Sequence, residues 1–179
     1  MIYVFLAEGF EECEALAPID ILRRASLDVK TVGVGSKTIT GSHGIPIVCD
    51  LEENELSYED LTAVILPGGM PGTLNLEKNA TVQKYIDYAW DNKLIIGAIC
   101  AAPSILGHKN LLIGKKATCF TGFEKDLIGA EISKLPAIRD DNIITAYGAG
   151  AAFEFGFLLL EALTDNETSL NLQKQMRYI

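Results

Sequence analysis

Leu94-Ile95-Ile96-Gly97-Ala98-Ile99-Cys100-Ala101-Ala102-Pro103 decides how this chain is read. Leu94 to Ile99 is short, β-branched and free of charge, the pattern of a strand buried on both faces. Pro103 suits the first turn of a helix, where its missing N–H costs nothing. Cys100 therefore falls on an abrupt strand-to-helix turn, a geometry that lifts a side chain above the end of a sheet. Such a turn also aims backbone N–H groups and the positive end of a helix at the sulfur, which favours thiolate. A lone cysteine in a core is equally often a small buried hydrophobe.

The segments on either side repeat the alternation of strand and helix. Ile2 to Leu6 reads as a first strand, ending at Ala7-Glu8-Gly9-Phe10, and a helix follows from about Glu11 to Ala25, with Cys13 among its apolar positions. Pro18 within it predicts either a kink or a helix that begins only near Ala17. Val29 to Val34 is a second strand. Gly35 to Gly44 is a glycine-bearing hairpin or flap, Ile45 to Cys49 a short strand, and Leu51 to Tyr58 an acidic connection. Leu61 to Leu66 is a third central strand opening onto Pro67-Gly68-Gly69-Met70-Pro71-Gly72, and helical patterning covers Thr81 to Asn92. Beyond Cys100, Ala117 to Phe120 reads as a short strand and Phe123 to Ala137 as loop or weak helix. Ile143 to Ala146 is a strand, Ala151 to Leu163 a strong helix, and Glu167 to Arg177 a final helix. This order predicts an open, doubly wound α/β domain over residues 1–179, with helices on both faces of a mostly parallel sheet. Ligands in such folds bind beyond the carboxyl ends of strands, which singles out the loops Glu8 to Glu14, Pro67 to Gly72 and Cys100 to Pro103.

Bulk properties exclude several classes. A net charge of −9, with no basic cluster longer than Arg23-Arg24, argues against a nucleic-acid surface. No run reaches the ~18 apolar residues of a membrane span, and Met1 to Ala7 is too short and lacks the basic start of a signal peptide. A cytoplasmic location is expected. Cys13, Cys49, Cys100 and Cys119 show no metal-ligand spacing, so free thiols are expected and neither a metal nor a cofactor is called for.

Three kinds of group are available near the cysteine. Gly68-Gly69 could present a backbone N–H to an oxyanion, with the N–H after Cys100 as a second donor; a ligand-free turn is the simpler alternative. Glu11, Glu12 and Glu14 cluster at the end of the first strand, where at least two are expected to be solvated acids at a helix start. A glutamate packed against the cysteine would have its pKa raised and would donate a proton rather than remove one. Of the two histidines, His108 lies roughly 12 Å along the same helix from Cys100 and His43 sits in the flap, so both read as surface residues. A Cys-His dyad, and with it a cysteine hydrolase or amidotransferase, ranks last.

Gly9-Phe10-Glu11-Glu12-Cys13-Glu14, Leu66-Pro67-Gly68-Gly69, Ala98-Ile99-Cys100-Ala101-Ala102-Pro103 and Gly148-Ala149-Gly150-Ala151-Ala152-Phe153-Glu154-Phe155 occur in this order. Together they resemble the PfpI/ThiJ superfamily, in the branch of the parkinsonism-associated deglycase and bacterial YajL-like proteins. The resemblance covers nearly the whole chain. It implies a flavodoxin-like fold and a homodimer. It further implies Cys100 as the reactive cysteine, Glu14 as a protonated glutamate, the N–H groups of Gly69 and Ala101 as oxyanion donors, and Arg24 as an arginine sent to a dimer partner's site. Members of the family act on small aldehydes such as methylglyoxal or on early glycation adducts, or serve as chaperones and oxidative-stress sensors whose cysteine becomes sulfinate. Where many members carry a histidine, this chain has Phe120, so Glu14 would be the only nearby acid/base group. Cysteine-dependent chemistry on reactive carbonyls is the first expectation, and a redox sensor or chaperone working through Cys100 the alternative.

Overall fold

The computed structural model describes all 179 residues. β1 (Ile2–Leu6) alternates its side chains, sending Ile2, Val4 and Leu6 to one face and Tyr3 and Phe5 to the other, and all five are buried. It pairs in parallel with β2 (Val29–Gly33) on one side and β6 (Ala63–Leu66) on the other. β7 (Ile95–Ile99) and β11 (Ile143–Ala146) continue the parallel ladder. Two edge strands complete the seven-stranded sheet, β5 (Leu51–Glu52) against β2 and antiparallel β10 (Ala137–Asp140) against β11, giving the order β10-β11-β7-β6-β1-β2-β5. The inner order is that of a flavodoxin-like sheet, whose direction of winding reverses between β1 and β6.

Helices cover both faces. α1 (Glu12–Arg24) and α5 (Ala152–Leu163) pack together over one face around Ile21, Leu22, Phe155 and Leu159. A Cβ on Gly156 would lie 2.6 Å from Ile21 Cδ1 and 3.1 Å from Pro18 Cα, so glycine permits the close approach of these two helices. α6 (Asn166–Gln175) packs on α5. On the opposite face, α2 (Gly72–Lys78), α3 (Ala80–Asp91) and α4 (Pro103–His108) enclose Phe5, Leu76, Val82, Ile86 and Ile105. Two small sheets stand apart: the hairpin β3 (Thr38–Thr40) with β4 (Pro46–Val48), and β8 (Lys116–Ala117) with β9 (Glu131–Ile132). No helix is long and apolar enough to cross a membrane.

The differences from expectation have local causes. α1 starts at Glu12 and runs through Pro18, so the later start near Ala17 is wrong; the absent N–H leaves only the Glu14 carbonyl without its helical partner. Cys13 is exposed rather than on the core face. The acidic connection holds edge strand β5, and the segment read as loop or weak helix holds β9 and β10, strands too short or too polar to declare themselves.

α4 ends in an ion-paired histidine. His108 Nδ1 lies 2.5 Å from Glu77 on α2, and Nε2 lies 3.7 Å from Asp126. The hydrogen bond to Glu77 raises the His108 pKa above its ordinary value, with the Glu77 and Asp126 charges acting in the same direction against desolvation. This contribution to stability is present in full below the unfolded pKa of about 6.5 and is lost as pH rises through the higher folded value. His108→Gln should therefore lower the thermal midpoint at pH 5.5 and make a smaller difference at pH 9. An equal loss at both pH values would contradict the assignment.

Candidate active site

The three loops at the carboxyl ends of β1, β6 and β7 are tied into one unit. Glu11 N–H donates to the Gly68 carbonyl at 2.9 Å, and Gly72 N–H to the Gly9 carbonyl at 3.2 Å. A Cβ on Gly68 would come within 2.5 Å of Cys100 Cβ, 2.6 Å of Glu14 Oε2 and 2.9 Å of the Ile99 carbonyl. The loop after β6 can thus lie against the cysteine and the glutamate together only because residue 68 has no side chain.

Cys100 occupies the strand-to-helix turn with φ +65°, a left-handed conformation unfavourable for a residue with a Cβ. Its N–H donates to the Ala146 carbonyl at 2.9 Å, and its own carbonyl accepts the Phe120 N–H at 2.8 Å, so the end of β11 and the segment after β8 hold the turn. The N–H groups of Gly69 and Ala101 lie near enough to the sulfur to oppose the rise of its pKa.

Glu14 is only 1% exposed. Glu11 is the N-cap of α1 and accepts the Glu14 N–H at 2.7 Å, fixing the first turn so that Glu14 faces the sheet. Its carboxylate accepts the Gly68 N–H at 3.0 Å and lies beside the Ala149 N–H and the Cys100 side chain. Burial pushes the Glu14 carboxyl up to about 7; the Glu11 charge adds to this, and the hydrogen bonds from Cys100, Gly68 and Ala149 oppose it. Burial also pushes the Cys100 thiol up, to about 12, reinforced by the Glu14 charge and opposed by the Gly69 and Ala101 N–H groups. The turn alone therefore does not favour thiolate, a correction to the sequence expectation: α4 is only six residues long, and burial outweighs its field. The two values describe a pair that gives up one proton near neutrality and holds the other until strongly alkaline pH. Between those limits the sulfur is ionised when the remaining proton sits on Glu14.

The other acids also depart from expectation. Glu12 is 4% exposed, so two of the three glutamates are buried rather than solvated. Its Oε1 accepts the His43 N–H at 2.8 Å, and its Oε2 lies 2.8 Å from His43 Nδ1, latching the β3–β4 hairpin onto α1. Desolvation opposes the Glu12 charge, but these bonds and one from the Ile45 N–H hold its pKa below the usual value. Glu11, Glu12 and His43 could converge on a cation, yet the Glu12 oxygens are already engaged by the hairpin. Arg24 is not brought to the pair; it is half exposed and bonds Asp20 at 2.7 Å, ten residues further along α1 than Glu14. His43 and His108 are exposed. Sequence reasoning missed the Gly68 and Ala149 N–H groups as Glu14 partners. It also had no independent way to choose Glu14, although Glu14, Pro18 and Ile21 share one buried helical face at i, i+4 and i+7.

The model of the DJ-1/PfpI family matches residues 1–162. The chain belongs to the DJ-1/PfpI family. Relatives in this family include protein dj-1beta of Drosophila melanogaster, 29% identical over 92% of this chain and 89% of its own length. Another is the glutathione-independent glyoxalase DJR-1.2 of Caenorhabditis elegans, 27% identical over 94% of this chain and 91% of its own. A crystal structure of a mutant of the DJ-1 superfamily protein STM1931 from Salmonella typhimurium superposes with a TM-score of 0.93 at 31% identity, covering 99% of this chain and 98% of that one. The expected family and flavodoxin-like fold are borne out, and the family includes a member named as a glyoxalase.

Proposed function

We propose that this chain is a cofactor-independent stress-response enzyme that converts 2-oxoaldehydes such as methylglyoxal to 2-hydroxy acids. Related carbonyls, including early glycation adducts, would enter by the same first step. The observation that carries this reading is the buried Glu14 carboxyl packed beside Cys100 across Gly68, with the Gly69 and Ala101 N–H groups on the side of the sulfur. The thiolate adds to the aldehyde carbon while protonated Glu14 gives its proton to the oxygen, forming a neutral hemithioacetal. The two N–H groups stabilise the negative oxygen as it develops. Glu14, now a carboxylate, removes the C1 proton and delivers it to the C2 oxygen, giving an enediol; it then takes the C1 hydroxyl proton and delivers that to C2. C1 is thereby oxidised to a thioester as C2 is reduced to an alcohol, and no external oxidant is required. Water then cleaves the thioester, releasing hydroxy acid and thiol. A carboxyl near 7 suits both halves of this shuttle.

The working unit in this reading is a cytoplasmic homodimer in which Arg24 of each protomer serves the other's site. Its exposed pairing with Asp20 supports this, since such pairs are worth only about 0–1 kcal/mol and are readily exchanged. Glu14→Gln tests the shuttle: lactate formation from methylglyoxal should fall by roughly 10²- to 10⁴-fold. A wild-type rate in this variant would overturn the mechanism.

The same donors favour a second role. A sulfinate at Cys100 would accept hydrogen bonds from Gly69, Ala101 and protonated Glu14. The thiol consumes two equivalents of peroxide, gains two oxygens and releases two waters. Mild peroxide should add this mass at Cys100 alone, and equal oxidation of Cys13 would count against a sensing role.

A further inference from the structure

The cleft beside the reacting pair is far larger than methylglyoxal requires. It is a half-open cleft of about 740 Å³, within the range of sites that hold drug-sized ligands. Three large apolar side chains on its lining are exposed: Phe120 (51%), Tyr147 (40%) and Ile132 (43%). Exposed apolar groups gathered at one concavity mark a site for an apolar ligand.

Neither Cys100 nor Glu14 lines this cleft, but three of its lining residues, Phe120, Gly148 and Ala149, stand next to them. The Phe120 N–H holds the Cys100 carbonyl. A Cβ on Gly148 would lie 3.3 Å from the Phe120 ring and 3.9 Å from Glu14 Oε1, so the ring borders the glutamate with only a bare backbone between them. Ala149, also on the lining, points its N–H at Glu14. The charges on the lining, Glu124 and Lys134, are one of each sign and select no net charge in the ligand.

From this arrangement we infer that the preferred substrates are 2-oxoaldehydes carrying a neutral aromatic tail, with Phe120 and Tyr147 as specificity-determining residues. The inference rests on the carbonyl chemistry proposed above and names its substrate class. With the aldehyde carbon at Cys100, an aryl tail passes over Gly148 into the cleft and buries its face against the two rings. A methyl tail leaves the same rings in water.

The first readout is kcat/KM for phenylglyoxal relative to methylglyoxal, each corrected for its intrinsic reactivity with a small free thiol. The ratio should exceed about tenfold in the wild type, the discrimination expected when a modest apolar area is buried. It should fall at least fivefold in both Phe120→Ala and Tyr147→Ala, exposed positions whose truncation leaves the core intact. A second readout needs no turnover. Mandelate should protect Cys100 from alkylation at a concentration at least tenfold below lactate, and both truncations should erase that difference. Equal protection by the two acids, or a preference untouched by either truncation, would overturn the inference. Failure of both aldehydes to be consumed would instead overturn the catalytic reading, with the protection experiment still deciding the aromatic preference.

Discussion

Cys100→Ala is expected to abolish 2-oxoaldehyde conversion while leaving the protein folded. The sulfur is the group that carries the substrate through every step, and the neighbouring thiol of Cys13 is exposed to solvent whereas Glu14 is buried. Removing an enzyme's covalent nucleophile costs on the order of 10⁴- to 10⁶-fold in turnover, which would bring lactate formation to the background of free glutamate and water. Stability should respond differently. Alanine keeps the Cβ and so keeps the cost of φ +65°. Cys100→Gly relaxes it and should be no less stable than Cys100→Ala, although glycine is ordinarily the worse residue by about 0.5–1 kcal/mol. Turnover near wild type in either variant would remove Cys100 from the chemistry. A markedly less stable glycine variant would show that the turn is not strained.

Gly68→Ala should damage both fold and site. The added methyl would stand 2.5 Å from Cys100 Cβ, 2.6 Å from Glu14 Oε2 and 2.9 Å from the Ile99 carbonyl, and two of these neighbours cannot swing away. Overpacking of this kind costs about 1–3 kcal/mol, which for a chain of this size corresponds to a drop of roughly 2–12 °C in Tm. Any relief by backbone movement breaks the 3.0 Å bond from Gly68 N–H to Glu14 and shifts the Gly69 N–H from the sulfur. Thermal unfolding and Cys100 alkylation should therefore change together. A variant with wild-type Tm and alkylation rate would show that the three loops are not pressed together as described.

The parts of the fold that are legible in the sequence are those whose environment is uniform. β1, β6 and β7 are covered on both faces, so Ile2 to Leu6, Ala63 to Leu66 and Ile95 to Ile99 are unbroken apolar runs. Edge strands lack that signature. Leu51-Glu52 carries a charge, and Ala137-Ile138-Arg139-Asp140 follows a proline and ends in two charges. α2 escapes notice because Gly72, Thr73 and Asn75 are poor helix formers and its seven residues are held by tertiary contacts.

The candidate site divides in the same way. The place of Cys100 on the turn is legible, since a short apolar strand running into a proline-started helix leaves one residue there. Glu14, Gly69 and Ala101 follow from the family resemblance, and the geometry brings all three to the sulfur. Arg24 also comes from the resemblance, and the geometry of one chain leaves it apart. The Gly68 and Ala149 N–H groups are invisible in sequence because backbone donors have no residue type. The burial of Glu12 was equally hidden: three neighbouring acids look alike until the helix phase is set by the Glu11 cap and the His43 hairpin folds over one of them.

The most direct test is the pH dependence of Cys100 alkylation in the wild type and in Glu14→Gln. The account predicts a rise in reactivity as the pair loses its first proton near pH 7, then a plateau with no second rise near the ~8.5 of a free thiol. In Glu14→Gln no carboxyl shares the proton, so the inflection should move to higher pH and the plateau should be no lower. A single inflection at or above 8.5, the same in both proteins, would show that Cys100 and Glu14 do not share a proton, and the catalytic reading would fall with it.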